Sequence, residues 1–142
     1  MKDKVIYLSS MIIILTAIAI AIVILFWLFY PYKVLEIKQN PVMVKTKAVK
    51  AGQILVYNFD YCKYNNLEAR VTRIISDGLE YNSPVTTSNR EVGCHNADSD
   101  FSVPTGLPAG GNYVLNITYT YKVNPLREIE VKAVTEKFTI IK

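Results

Sequence analysis

The strongest constraint on this chain is a gap in its charge: no Asp, Glu, Lys or Arg occurs between Lys4 and Lys33. Val5 to Tyr30 read VIYLSSMIIILTAIAIAIVILFWLFY, where Ser9, Ser10 and Thr16 are the only hydroxyls besides the two tyrosines. Hydrocarbon about 30 Å thick needs about 20 apolar residues at 1.5 Å rise, so this segment spans a bilayer with some tilt. Lipid offers no partner for backbone N–H and C=O groups, which leaves a helix as the workable conformation. Trp27, Tyr30 and Tyr32 gather at one end, where amphipathic rings favour the headgroup zone, and Pro31 then removes a donor and stops the helix. A cleaved secretory signal has a shorter apolar region that ends in small residues. Here IVILFWLFY follows Ala17, Ala19 and Ala21, so an uncleaved anchor is expected. Ala17 with Ala21 is the one small-xxx-small pairing, a weak signal for helix association.

What remains is enough for one domain. The expected layout is a tail at 1–4, a transmembrane helix at 5–30, a juxtamembrane stem at 31–41 and a β domain at 42–142. A plain cytosolic enzyme, a multidomain protein and a disulfide-dense mini-protein are all excluded by this arithmetic. Beyond Pro41, period-2 patterns and turn signals recur about every ten residues, as in an all-β sandwich. The clearest strand is Tyr113 to Tyr121, with Tyr113, Leu115, Ile117, Tyr119 and Tyr121 on one face. Glu128 to Val134 continues in phase through Ile129, Val131 and Ala133, then shifts to Val134, Phe138 and Ile140, predicting a bulge or a strand that switches sheets near Ala133. Ile54 to Tyr64 reads as a strand. Val71 to Ile75 pairs with Leu79 to Tyr81 across Asp77-Gly78, read as a type I′ hairpin.

Leu107-Pro108-Ala109-Gly110-Gly111-Asn112-Tyr113 resembles the tyrosine corner of immunoglobulin-like and fibronectin-like sandwiches. The resemblance implies that Leu107 and Gly110 shape the turn and that the Tyr113 hydroxyl bonds back to upstream backbone. It covers Phe101 to Thr135 well and the rest by strand count. The domain lacks the usual core Trp, since Trp27 lies in the anchor. The fold expected is therefore all-β, an immunoglobulin-like sandwich preceded by a single N-terminal transmembrane α-helix. The chain also resembles small membrane-anchored immunoglobulin-like proteins of tailed phages and bacteria. That impression rests on Cys62-Lys63, Gly93-Cys94-His95, Leu107 to Gly110, Asn124-Pro125-Leu126-Arg127 and Glu136-Lys137-Phe138.

Cys62 has the parity of Asn58 and Asp60, opposite to Tyr57, Phe59 and Tyr61, while Cys94 reads as loop. A Cys62–Cys94 disulfide is expected to tie strand to loop, and it fits an oxidising compartment. Zinc sites pair their ligands at short spacing, whereas only Cys94 and His95 are close here, so neither a metal centre nor a Cys–His nucleophile is expected. His95 is read as an exposed loop residue, and Asp98-Ser99-Asp100 as a solvated turn rather than a calcium loop. Asn116-Ile117-Thr118 lies mid-strand and is read as an exposed strand face. Lys33, Lys38, Lys45, Lys47 and Lys50 suit either anionic headgroups or the guarding of an edge strand. A net charge of +4 with Arg70, Arg73 and Arg90 scattered gives no nucleic-acid footprint. No catalytic motif and no cofactor site is read from the sequence.

Counting positive charge places the domain in the cytoplasm, but that rule is weak for long domains, and the two cysteines favour the extracytoplasmic side. The function expected is a non-enzymatic interaction module, with the bilayer and another protein as partners through loops, a sheet edge or the helix. The alternative is an accessory subunit of a transport, lysis or assembly complex, held through its transmembrane helix.

Overall fold

The computed structural model describes residues 2–142. Lys2–Phe29 form one helix, α1, of which Ile6–Phe29 is long and apolar enough to cross a membrane. The large apolar side chains along that stretch are exposed almost without exception. The hydroxyls of Ser9, Ser10 and Thr16 donate to the carbonyls of Ile6, Tyr7 and Ile12, so the few polar groups are satisfied within the helix. Helix ends leave carbonyls without partners. In this unit, which also includes Asn124–Arg127, Asn124 Nδ2 donates to the Trp27 carbonyl at 2.8 Å, and Arg127 Nη1 to those of Leu28 and Tyr30 at 2.9 and 2.7 Å. Tyr30 packs between Phe26 and Tyr32, 4.8 Å from each ring centre.

The second unit, Lys33–Val123 with Glu128–Lys142, is built of strands: β1 (Leu35–Ile37), β2 (Ala48–Lys50), β3 (Ile54–Lys63), β4 (Ala69–Ser76), β5 (Glu80–Asn82), β6 (Thr86–Ser88), β7 (Gly93–Ser102), β8 (Gly110–Asn124), β9 (Arg127–Val134) and β10 (Phe138–Ile141). They form a three-stranded sheet, β1-β3-β7, and a seven-stranded sheet, β2-β10-β8-β4-β5, with β6 added to β4 and β9 to β8. The first strand region serves both sheets. β1 pairs antiparallel with β3, the chain passes a cis Asn40–Pro41 peptide, Val42 bridges to Thr135, and β2 runs parallel to β10. The expected stem thus joins the domain through β1, because Val34 and Leu35 are buried in it.

The alternation read in the longest strand is the core itself. Tyr113, Leu115, Ile117, Tyr119 and Tyr121 are all buried, and β3 answers from the other sheet with Leu55, Tyr57, Phe59 and Tyr61. The Phe59 and Tyr119 rings meet at 5.4 Å, so the two inner faces touch.

Three local expectations need correction. The phase change after β9 falls at Glu136-Lys137, not at Ala133. Val134 points outward and Thr135 takes the inward position, because its hydroxyl accepts the Leu115 N–H at 2.9 Å while its own N–H donates back to the Leu115 carbonyl at 3.0 Å. The β4–β5 hairpin has a three-residue loop, since Ser76 pairs with Glu80. Only Gly78 there has positive φ, at 113°, and the Asp77 carboxylate accepts the Leu79 N–H, so the turn is not type I′. Finally, Cys94, His95 and Asp98-Ser99-Asp100 lie in strand β7 and not in a loop or turn. Their alternation of polar residues gave no hydrophobic signal, but full pairing with β3 from Gly93 to Ser102 imposes the strand.

Candidate interaction site

Strand β7 borders the three-stranded sheet and pairs on one side only. Its ten residues match β3 without interruption, from Ile54↔Ser102 to Lys63↔Gly93. Alternate side chains therefore fall on opposite faces. Cys94, Asn96, Asp98 and Asp100 join Cys62, Asp60, Asn58 and Val56 on the outer face. His95, Ala97, Ser99 and Phe101 join Tyr61, Phe59, Tyr57 and Leu55 on the inner one.

Cys62 and Cys94 stand directly opposite one another and are joined as a disulfide, with Cα atoms 4.0 Å apart. The bond lies on the outer face and joins neighbouring strands of one sheet, as the parity of Cys62 indicated. Closing a separation of 32 residues is worth roughly 3–4 kcal/mol by loop entropy. Beside it, Lys45 pairs with Asp98, and Asn58 and Asn96 exchange amide bonds at 2.7 and 3.0 Å. The Asp98 carboxyl is held below its ordinary range, first by the Lys45 ammonium and then by Asn58. Carboxylates and lysines share this outer face: Glu36, opposite Cys62, pairs with Lys33 and Lys38, Asp98 pairs with Lys45, and Asp60 and Asp100 lie along it. Among the described residues no group of His, Cys, Asp and Glu is arranged to hold a metal ion.

The inner face near β7 is different. Arg90, on the segment leading from β6 into β7, lays its guanidinium against the rings of Phe59, Tyr61 and Tyr119, at 4.6, 5.0 and 5.9 Å. Its Nη2 donates to Ser99 Oγ at 2.6 Å and to the Tyr119 hydroxyl at 3.4 Å. Burial alone would lower the Arg90 pKa, but the phenols of Tyr119, Tyr57 and Tyr61 outweigh it and the net direction is up. Tyr119 itself is pushed up to about 12, chiefly by burial. Lys63 follows the inward parity of β3 and is buried at its end, donating to Asn89 Oδ1 at 3.1 Å and the Arg90 carbonyl at 2.7 Å. Burial, with the Arg90 charge second, lowers its pKa. Arg73, inward on β4 between Val71 and Ile75, donates from Nη1 to Thr86 Oγ1 at 2.7 Å. A cleft of about 490 Å³ opens here between β7 and the β4–β6 region, lined by Arg73, Pro84, Thr86, Asp100, Phe101 and Pro104 among others, so that it holds one charge of each sign.

The segment from Leu107 to Tyr113 holds the far end of the core. Tyr113 donates its hydroxyl to the Pro108 carbonyl at 2.8 Å, Leu107 is buried, and a Cβ on Gly110 would come within 3.2 Å of the Tyr113 ring. Trp27, Tyr30 and Tyr32 are at the end of α1. Sequence reasoning missed Lys63, Arg73 and Arg90. The alternation Val71-x-Arg73-x-Ile75 was a usable signal, since it puts an arginine on the buried face of a strand. No protein-family model matches this chain, and no curated protein matches it in sequence.

Proposed function

We propose that this protein is a membrane-anchored, non-enzymatic interaction module that displays an immunoglobulin-like sandwich outside the cytoplasm and binds another protein along its β7 edge. The observation that carries the reading is the ten-residue β7 strand, paired on one side and unprotected by proline or by inward lysines along its length. Such an edge is a template for an added strand. The immunoglobulin-like assignment draws support from the strand order, from a first strand shared between the two sheets, and from the Tyr113–Pro108 bond. The extracytoplasmic side draws support from the Cys62–Cys94 bond following a helix of membrane-spanning length. The alternative, a subunit held in a complex through its helix, has less behind it, because the α1 hydroxyls already bond within the helix.

Topology is tested by treating intact cells with an impermeant thiol reagent, before and after mild reduction, and reading Cys62 and Cys94 by mass spectrometry. The expected outcome is labelling only after reduction. Labelling only after lysis, without any reductant, would place free thiols in the cytoplasm and end the display reading.

A further inference from the structure

Asn124–Arg127, the turn between β8 and β9, groups with α1 and not with the rest of the strands. Three hydrogen bonds make that connection, all from side chains of the turn to carbonyls at the helix end. Asn124 Nδ2 donates to Trp27, and Arg127 Nη1 donates to both Leu28 and Tyr30. Asn124 also closes the turn itself, because its Oδ1 accepts the Leu126 N–H at 2.9 Å. One side chain therefore sets both the shape of the turn and its seat on the helix. Pro125 and Leu126 are left outermost, and Leu126 is 55% exposed. Arg127 uses only Nη1 on the helix and enters none of the ion pairs among the described residues. Its neighbour Glu128 pairs with Arg70 instead. Depth follows from the helix. Ile6–Phe29 is 24 residues, about 36 Å at the helical rise against about 30 Å of hydrocarbon, so its last turn reaches the headgroup zone. Trp27 and Tyr30 suit that zone, and a turn bonded to the carbonyls of residues 27, 28 and 30 is held at the same depth.

We infer that the β8–β9 turn is a second membrane contact, in which Leu126 enters the bilayer interface and the Arg127 guanidinium holds the phosphate of a phospholipid headgroup. This rests on the reading of α1 as a membrane span and is independent of the β7 edge. The occupant is the bilayer because the turn continues a surface that the span already gives to lipid: Phe29 and Tyr30, beside the bonded carbonyls, are exposed like the rest of the helix. A phosphate fits because the two bonds from Nη1 leave the Nε–Nη2 edge of the guanidinium open, and two oxygens meet that edge at two points. An apolar side chain next to an arginine also matches the boundary between acyl chains and headgroups, where one end of a contact is dry and the other charged. The same arrangement satisfies the helix. Carbonyls of a last turn have no partner within the helix, and in a zone poor in water Asn124 and Arg127 supply them.

The test uses the full chain in phosphatidylcholine nanodiscs, with leucine methyl and arginine Nε–H signals followed by NMR. Two relaxation probes are compared, a lipid spin-labelled high on its acyl chain and a soluble gadolinium chelate. The expected result is that Leu126 loses intensity to the labelled lipid and is protected from the chelate, as Leu15 in the middle of α1 must be if the helix spans. Arg127→Gln is expected to release the turn, so that Leu126 becomes open to the chelate while Leu15 stays protected. Transfer from the nanodisc to a maltoside micelle, which carries no phosphate, is expected to shift the Arg127 Nε–H signal, and inorganic phosphate added to the micelle is expected not to restore it. Native Leu126 open to the chelate beside a protected Leu15 would overturn the inference and leave the anchor standing. Leu15 open to the chelate would remove the membrane span itself. An Arg127 signal that is the same in nanodisc and micelle would overturn the phosphate contact. Restoration by inorganic phosphate would make Arg127 a small-anion site and not a headgroup site. Leu126 still protected in Arg127→Gln would overturn the part given to Arg127.

Discussion

The two ends of the inter-sheet core solve the same problem differently. At the end beside Leu107 to Gly110, Tyr113 buries a large ring against Phe138, 6.1 Å between centres, and its hydroxyl has a backbone partner. At the β7 end, Tyr57 is just as buried and its hydroxyl has none, with Arg90 nearby. The first end is closed and self-sufficient. The second keeps unused hydrogen-bonding capacity, which a packed core avoids because each orphan costs stability. The difference teaches that burial by itself does not satisfy a polar atom: one end has its partner in the backbone and the other has none.

The sharpest way to break the comparison is to truncate each end. Phe138→Ala should cost about 3–5 kcal/mol, because it removes a buried ring and leaves a cavity. Arg73→Met replaces an incompletely satisfied guanidinium with an apolar chain of similar reach, and should stay within about 1.5 kcal/mol of the native protein. Thermal unfolding of the reconstituted protein measures both. If Arg73→Met proved as damaging as Phe138→Ala, the β7 end would be a structural core after all.

Much of this was legible in the sequence because apolar alternation reports burial directly. YVLNITYTY placed five inward residues correctly, and Leu107 to Tyr113 announced its own hydrogen bond. The helix was equally plain, since nothing else suits a charge-free segment of that length. β7 was not legible. Gly93 to Ser102 holds one large apolar residue, Phe101, and owes its strand form to pairing with β3 and not to its own propensity. The arginine layer was hidden for a related reason. Arg73 and Arg90 are seventeen residues apart, and what each meets is set by distant strands, Thr86 for the first and the rings of Phe59, Tyr61 and Tyr119 for the second.

Alkaline titration sharpens the comparison further. Tyr113 and Tyr119 are both raised to about 12, burial being the first cause in each. A phenol whose folded pKa lies above its unfolded value of 10.0 contributes stability that is complete below pH 10 and lost as pH rises toward 12. For Tyr119 that is on the order of 2–3 kcal/mol. Lys63 acts in the opposite direction. Its folded pKa is lowered, so the folded state gains stability as pH climbs through that value toward 10.5, and gains no more beyond it. Stability against pH, followed by circular dichroism in denaturant, should therefore rise before it falls. Lys63→Met should flatten the rise alone, and Tyr119→Phe should weaken the fall alone. A monotonic decline in the native protein would mean that Lys63 is no more strained at the β7 end than a surface lysine.

The smallest effect belongs to the outer face, which serves as the control for both ends. Glu36 accepts from the Tyr64 hydroxyl and pairs with Lys33 at 2.9 Å, and these two partners in that order bring its pKa down to about 2. A carboxyl depressed in the folded state contributes stability present above pH 4.5 and lost as pH falls toward 2. The group is exposed, so screening keeps its contribution small and makes it fade with added salt. Tyr64→Phe should remove the larger of the two causes and raise the Glu36 pKa, read by NMR titration of its side-chain carboxyl, without changing the alkaline limb. If the same substitution also shifted the alkaline limb, the outer face and the arginine layer would be coupled through β3. The two ends of the core could then no longer be treated as independent of the surface that covers them.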